Sequence, residues 1–172
     1  MNLSNNAGID GGPCGDNLSV NTGCNAVIRM LGVADITLNR LSITGGSPQY
    51  GIIGIGVAGF ILDNSTIVGA GNEAQEDAVR FIDLTGSSRI RNTTLQNSYD
   101  NHLRIYNTVA TPLNLTIDET VPGTSRFLST VLNDGIQFEG INSANMTLSV
   151  SGTDFDSSGA DHIQTAIDDN AT

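Results

Sequence analysis

DITLNRLSITGG at residues 35–46, FILDNSTIVGAG at 60–71 and SRIRNTTLQNS at 88–98 share one layout: an apolar alternation, a polar corner and a second apolar alternation. Leu38 precedes Ile43, Leu62 precedes Ile67 and Ile90 precedes Leu95, each by five residues. Side chains of a strand alternate faces with period two, so this spacing fits two short strands joined by a sharp bend. The bends are Asn39-Arg40, Asp63-Asn64 and Arg91-Asn92. Asn is the residue other than Gly that most readily adopts the left-handed conformation needed to redirect a chain without a loop.

Upstream of each such pair lies a further strand introduced by a polar or small pair. These starts are Asn25-Ala26-Val27, Tyr50-Gly51-Ile52, Asp77-Ala78-Val79, Asn101-His102-Leu103, Asp134-Gly135-Ile136 and Asp161-His162-Ile163. The steps between Val27, Ile52, Val79, Leu103, Ile136 and Ile163 are 25, 27, 24, 33 and 27 residues. One period is therefore one coil of three short strands, and stacked coils bury apolar ladders that no single coil buries alone. The expected fold is all-β: a right-handed, single-stranded parallel β-helix of about five to six coils, each roughly 25 residues long. Residues 1–25 form a polar N-terminal segment or first partial coil, and 26–167 form the coils. Polar, Pro-containing sequence at about 118–130 reads as a loop protruding from the solenoid. Residues 168–172 are a truncated end, and with the start at Met1 inside a polar stretch this leads us to expect a piece of a longer protein.

Composition agrees. The chain has 172 residues, 20 Gly, 4 Pro and no Trp, and its 7 basic residues are all Arg. Helix formers are scarce, with Glu only at 73, 76, 119 and 139. A formal charge of -11 repels nucleic-acid phosphates and anionic membrane surfaces, which excludes both as expected partners. GIIGIGVAGFIL at 51–62 is too short to span a bilayer and reads as two core strands around a tight turn. Cys14 and Cys24 lie ten apart in a Gly- and Asn-rich stretch. They are candidates for a disulfide, with two free buried thiols as the other reading.

The three quoted stretches, followed by DAVRF at 77–81, DGIQFEG at 134–140 and DHIQT at 161–165, resemble the parallel β-helix repeats of large secreted and cell-surface bacterial proteins. This is the pectate-lyase-like solenoid superfamily, and the resemblance spans residues 26 to 167. It implies an extracellular or cell-surface location. It leaves activity open, because such repeats serve lyases, hydrolases, adhesins and plain stalks alike.

Asp77, Asp134 and Asp161 share one coil position with Asn25 and Asn101. They are candidate calcium ligands, since stacked carboxylates suit an ion that takes 6 to 8 oxygens. Such regular recurrence is more simply that of corner formers bonding nearby backbone N–H groups. Arg80 and Arg104 follow Val79 and Leu103 by one residue, so they stand side by side on an outward face, with Gln137 and Gln164 continuing the row. They are the candidate contacts, catalytic or binding, for an acidic sugar, and the plainer reading is two solvated strand residues. Tyr106, with Tyr50 and Tyr99, lies near coil corners where a ring can stack on a sugar. His102 and His162 share a coil position with one coil between them, too far apart for a joint metal site without other ligands, and read as surface residues. Neither the Gly-His-Gly nor the Arg-Ile-Lys signature of polygalacturonases occurs, and no Lys is present to serve as a lyase base.

The function expected is a non-enzymatic structural or adhesive segment that contacts carbohydrate or a surface protein. The alternatives are a lyase or hydrolase of an acidic polysaccharide and a calcium-stiffened extracellular spacer. No other cofactor is expected. Open coil ends are expected to favour end-to-end self-association.

Overall fold

A computed structural model describes residues 2–4, 25–44, 49–168 and 171–172. Every element among them is a strand, and every strand pair is parallel. No helix among the described residues is long and apolar enough to cross a membrane. The strands stack into three sheets, each visited once per coil, so the chain is a parallel β-helix of about five turns.

The first sheet runs through Ala26–Leu31, Tyr50–Ile55, Val79–Ile82, Leu103–Asn107, Ile136–Gly140 and Ile163–Ile167. The second contains Ala34–Asn39, Ala58–Asp63, Gly86–Arg91, Leu113–Asp118 and Met146–Val150. In the third, Asn2–Ser4 pairs with Ser42–Thr44, and Thr66–Val68, Thr94–Ser98, Arg126–Thr130 and Asp154–Asp156 follow. Cys14 and Cys24 lie outside the described residues.

Register follows the sequence period with one slip. Ile52 pairs with Val79, Val79 with Leu103, Leu103 with Ile136 and Ile136 with Ile163. In the first coil, however, Ile28 and not Val27 faces Ile52, so Ala26 rather than Asn25 stands at the Asp77 position. The apolar run Ala26-Val27-Ile28 holds no polar marker to fix the phase, and a one-residue slip exchanges the faces of a strand. The Gly51–Leu62 run is two strands around Gly56, which has φ +60°, as its reading required.

The corner between the second and third sheets is left-handed at Arg40, Asn64 and Asn92, with φ of 55°, 50° and 49°. In the first of these coils the strained residue is thus Arg40 and not its Asn neighbour. One residue further on, Ser65 and Thr93 donate their hydroxyls to the carbonyls of Asp63 and Arg91, two residues back. The bends are therefore closed by short local bonds rather than by loops.

The interior is a set of stacked apolar columns. Ile43, Ile67, Leu95 and Phe127 form one and continue to Phe155; Leu62, Ile90 and Ile117 belong to another, and all but Phe155 are buried. Large residues are matched by small ones in the next coil. Phe81 packs against Phe60 with ring centroids 4.7 Å apart and has Gly54 as its register partner. A Cβ on Gly54 would lie 2.4 Å from the Phe81 ring, so glycine there is a packing requirement.

The irregular fourth coil is shorter in its irregularity than the sequence suggests. Arg126–Thr130 is a third-sheet strand paired with Thr94–Ser98 and Asp154–Asp156, so only residues 119–125 leave the ladder. The loop is closed by Glu119, whose Oε2 accepts from the Thr124 and Ser125 N–H groups at 3.0 and 3.2 Å.

Candidate functional site

The corner that leads into the first sheet gathers most of the candidate residues. Asp77, Asn101, Asp134 and Asp161 form a ladder in which each side chain bonds the backbone of the next coil. Asp77 Oδ1 accepts from Asn101 N at 3.1 Å, Asn101 Oδ1 from Asp134 N at 3.0 Å, and Asp134 Oδ1 from Asp161 N at 2.9 Å. Asp77 and Asn101 are wholly buried and Asp134 nearly so, whereas Asp161 is exposed. Among the described residues no group of three or more His, Cys, Asp or Glu converges as a metal cage.

Asn101 is the centre of this network. Its Nδ2 donates to Asp77 Oδ1 at 2.8 Å and to Asp100 Oδ2 at 3.2 Å, and reaches Gln137 Oε1 at 3.4 Å. Asp100, which the repeat does not mark, also accepts from Gln75 N at 3.0 Å and from Asn133 Nδ2 at 2.6 Å. Burial raises the carboxyl of Asp77, and burial with the Asp77 charge nearby raises Asp100 to about 6. Burial likewise raises Asp134.

Arg80, Arg104, Gln137 and Gln164 do form one outward row in register. The face is outward, yet it is not solvent. Arg80 is 3% exposed and Arg104 7%. Arg80 donates from Nη1 to Tyr50 Oη at 3.2 Å and to the Gln75 carbonyl at 3.3 Å, and its guanidinium carbon lies 5.8 Å from the Tyr50 ring centroid. It also lies 3.7 Å from Asp77 Oδ2. Arg104 reaches Glu139 Oε2 through Nε and Nη2 at 3.2 and 3.1 Å. Residues 71–76 are drawn into a tight turn by Glu76, whose Oε2 accepts from Asn72 and Glu73 N–H at 2.7 and 2.8 Å, and this turn brings the Gln75 carbonyl over Arg80. The reading of Arg80 and Arg104 as solvated strand residues is thus corrected: both are buried cations held by neighbouring coils.

Tyr50 is buried as well, and burial pushes its phenol up to about 12. Tyr106 is half-buried in the row next to Glu139. His102, expected at the surface, is fully buried, because its neighbours in the inward row, Ala78 and Gly135, leave room for an imidazole. Its Nδ1 lies 2.7 Å from Ser98 Oγ, and burial holds it neutral with a pKa of about 3. His162 repeats the bond with Ser158 at 2.9 Å but is exposed.

This corner gathers buried charge from three coils. Its measurable property is pH linkage. The folded-state pKa of Asp100 lies above its ordinary value of 3.8, so its contribution is fully present below 3.8 and is lost as pH rises through about 6. The difference corresponds to about 3 kcal/mol. Asp100→Asn should therefore gain stability relative to the parent chain as pH rises from 4 towards 7, read from urea denaturation at several pH values. His102 acts with the opposite sign, its contribution being lost as pH falls below 6.5. It is common to both proteins and drops out of the difference. A flat difference would mean that Asp100 is solvated.

Sequence reasoning missed Asp100 and Glu139, which gain their partners from adjacent coils, and Glu76, which closes its own turn outside the repeat; only Asp100, beside the ladder residue Asn101, carried any signal. No protein-family profile, curated protein or solved structure matches this chain.

Proposed function

We propose that the chain is a structural and adhesive β-helix segment of a secreted or surface-displayed protein, a stiff scaffold whose outer faces contact carbohydrate or another protein. What supports this reading is the use made of charge. Arg89 pairs with Asp63 at 2.7 Å, Arg91 with Asp118 at 2.5 Å and Arg104 with Glu139 at 3.1 Å, and each pair links two coils. The Asp77–Asn101–Asp134–Asp161 ladder does the same through backbone N–H groups. Side chains that clamp coil to coil are poorly placed to shuttle protons on a bound polymer. The bacterial surface character and the kinship with pectate-lyase-like solenoids rest on the repeat resemblance and belong to this proposal.

The test is incubation of the purified chain with pectin, alginate and related acidic polymers, with and without calcium. The expected outcome is polymer that is retained but recovered intact. Unsaturated or newly reducing ends would replace the scaffold with the polysaccharide-lyase or hydrolase reading. A melting temperature that climbs on adding calcium would favour the calcium-stiffened spacer, and an unchanged one the plain scaffold.

A further inference from the structure

Residues 71–76 leave the ladder between the strands Thr66–Val68 and Val79–Ile82 and fold over Arg80, whose Nη1 donates to the Gln75 carbonyl at 3.3 Å. Glu76 closes this turn on itself. Its side-chain tie to the next coil is Asp100, whose Oδ2 accepts from Gln75 N at 3.0 Å. That bond holds Gln75 at φ +68°, a left-handed conformation that is costly for a residue with a side chain. The closed turn therefore depends on one carboxyl group from another coil.

That group sits among more acid than base. Asn101 Nδ2 serves both Asp77 Oδ1 and Asp100 Oδ2, so two buried carboxyls crowd a single amide. Around them, among the described residues, stand Glu76 from the turn, Asp134 from the following corner, and Arg80 and Arg104 from the strands, with Tyr50 bonded to Arg80. His102 lies on the inward side against Phe127. Two guanidiniums thus face four buried carboxyls, and Arg104 is also shared with Glu139.

The N–H donors of Gln75, Asn101 and Asn133 favour an ionised Asp100, but burial and the Asp77 charge outweigh them and raise its carboxyl to about 6. Lifting the turn removes one side of that enclosure and lets water reach the group, which returns it towards its ordinary 3.8. The closed form consequently holds the proton more tightly than the open one.

We infer that the 71–76 turn is a proton-controlled cover: it lies closed over Arg80 while Asp100 is protonated, and ionisation of Asp100 shifts it towards an open form that bares the guanidinium. The sign follows from linkage. The proton's support for the closed form is fully present below pH 3.8, is lost as pH rises through about 6, and changes no further above that.

Hydrogen exchange of the full chain, resolved by NMR and corrected for intrinsic rates, tests the cover between pH 4 and 8. Protection of the Asn72, Glu73 and Gln75 amides should fall about 10- to 100-fold from pH 4 to 6.5 and then level off. The fall should be indifferent to low urea, because a local opening exposes little surface. Asp100→Asn, which has no proton to lose at this position, should abolish it. A second arm needs no variant: the Asp100 carboxyl carbon of the parent chain should titrate near 6, in step with the loss of protection. Protection that is flat or rises with pH, an equal fall in Asp100→Asn, or an Asp100 midpoint near 3.8 would each overturn the cover. So would a fall that steepens with urea together with the Val79 and Leu103 ladder amides, since the event would then be global unfolding.

Discussion

Asn101→Asp is expected to destabilise the chain by about 3–5 kcal/mol at neutral pH, although Asp stands at the same coil position in Asp77, Asp134 and Asp161. The cost follows from donor bookkeeping. Asn101 Nδ2 serves Asp77 Oδ1 and Asp100 Oδ2, and all three residues are buried. A carboxylate in its place accepts where it must donate, and sets a third negative charge against two acids whose pKa values are already raised. Arg80 and Arg104 soften the repulsion but are engaged with Tyr50 and Glu139. The new group should titrate above its ordinary value, so its penalty is absent at acidic pH and grows as pH rises. Urea denaturation at neutral and mildly acidic pH checks this. Asn101→Ala, which loses the donors without adding charge, should cost about 1–3 kcal/mol and show a much smaller change with pH. If Asn101→Asp were as stable as the parent chain at neutral pH, water would have to reach the corner.

The fold was legible because a solenoid is close to one-dimensional. Each coil touches only the next, so a sequence offset of one period becomes a register pairing, and Val79, Leu103, Ile136 and Ile163 could be aligned from the sequence. The errors are local. Val27 is one residue out of phase with Ile28, and the polar stretch expected as a loop extends past Arg126, because Arg126 and the Ser129-Thr130 pair make that strand look polar.

The site was legible in direction but not in depth. Alternation correctly turned Arg80 and Arg104 away from Val79 and Leu103, which are fully buried inside. Whether an outward side chain meets water depends on what the corners lay across the face, and corners lack periodicity. The turn at 71–76 is such a cover, held by local bonds to Glu76 that do not recur in the other coils and so leave no periodic signal. The same gap worked in reverse for Arg126. It falls within the polar stretch expected to protrude, yet the ladder fixes it beside Thr94 in the third sheet.

Phe127→Ala is the other substitution with a large expected effect, again about 3–5 kcal/mol, because the ring is wholly buried and the coils on either side are tied by ladders that resist collapse into the space. Phe127 stands between Leu95 and Phe155 in its column. It meets the Phe155 ring edge-on at 5.4 Å and the His102 imidazole at 5.9 Å. Phe127→Leu, which keeps most of the volume, should lose much less. The two variants also differ in what they do to His102. Its pKa of about 3 is the result of burial against this ring, so opening a cavity beside it lets water stabilise the imidazolium and moves the value back towards 6.5. Because a depressed histidine pKa makes stability fall as pH drops below 6.5, Phe127→Ala should flatten that part of the pH profile while lowering the whole curve. Chemical denaturation gives the loss, and the pH titration of the imidazole by NMR gives the shift. A large loss with His102 still unprotonated at pH 4 would mean that the surrounding columns close over the cavity and keep it dry.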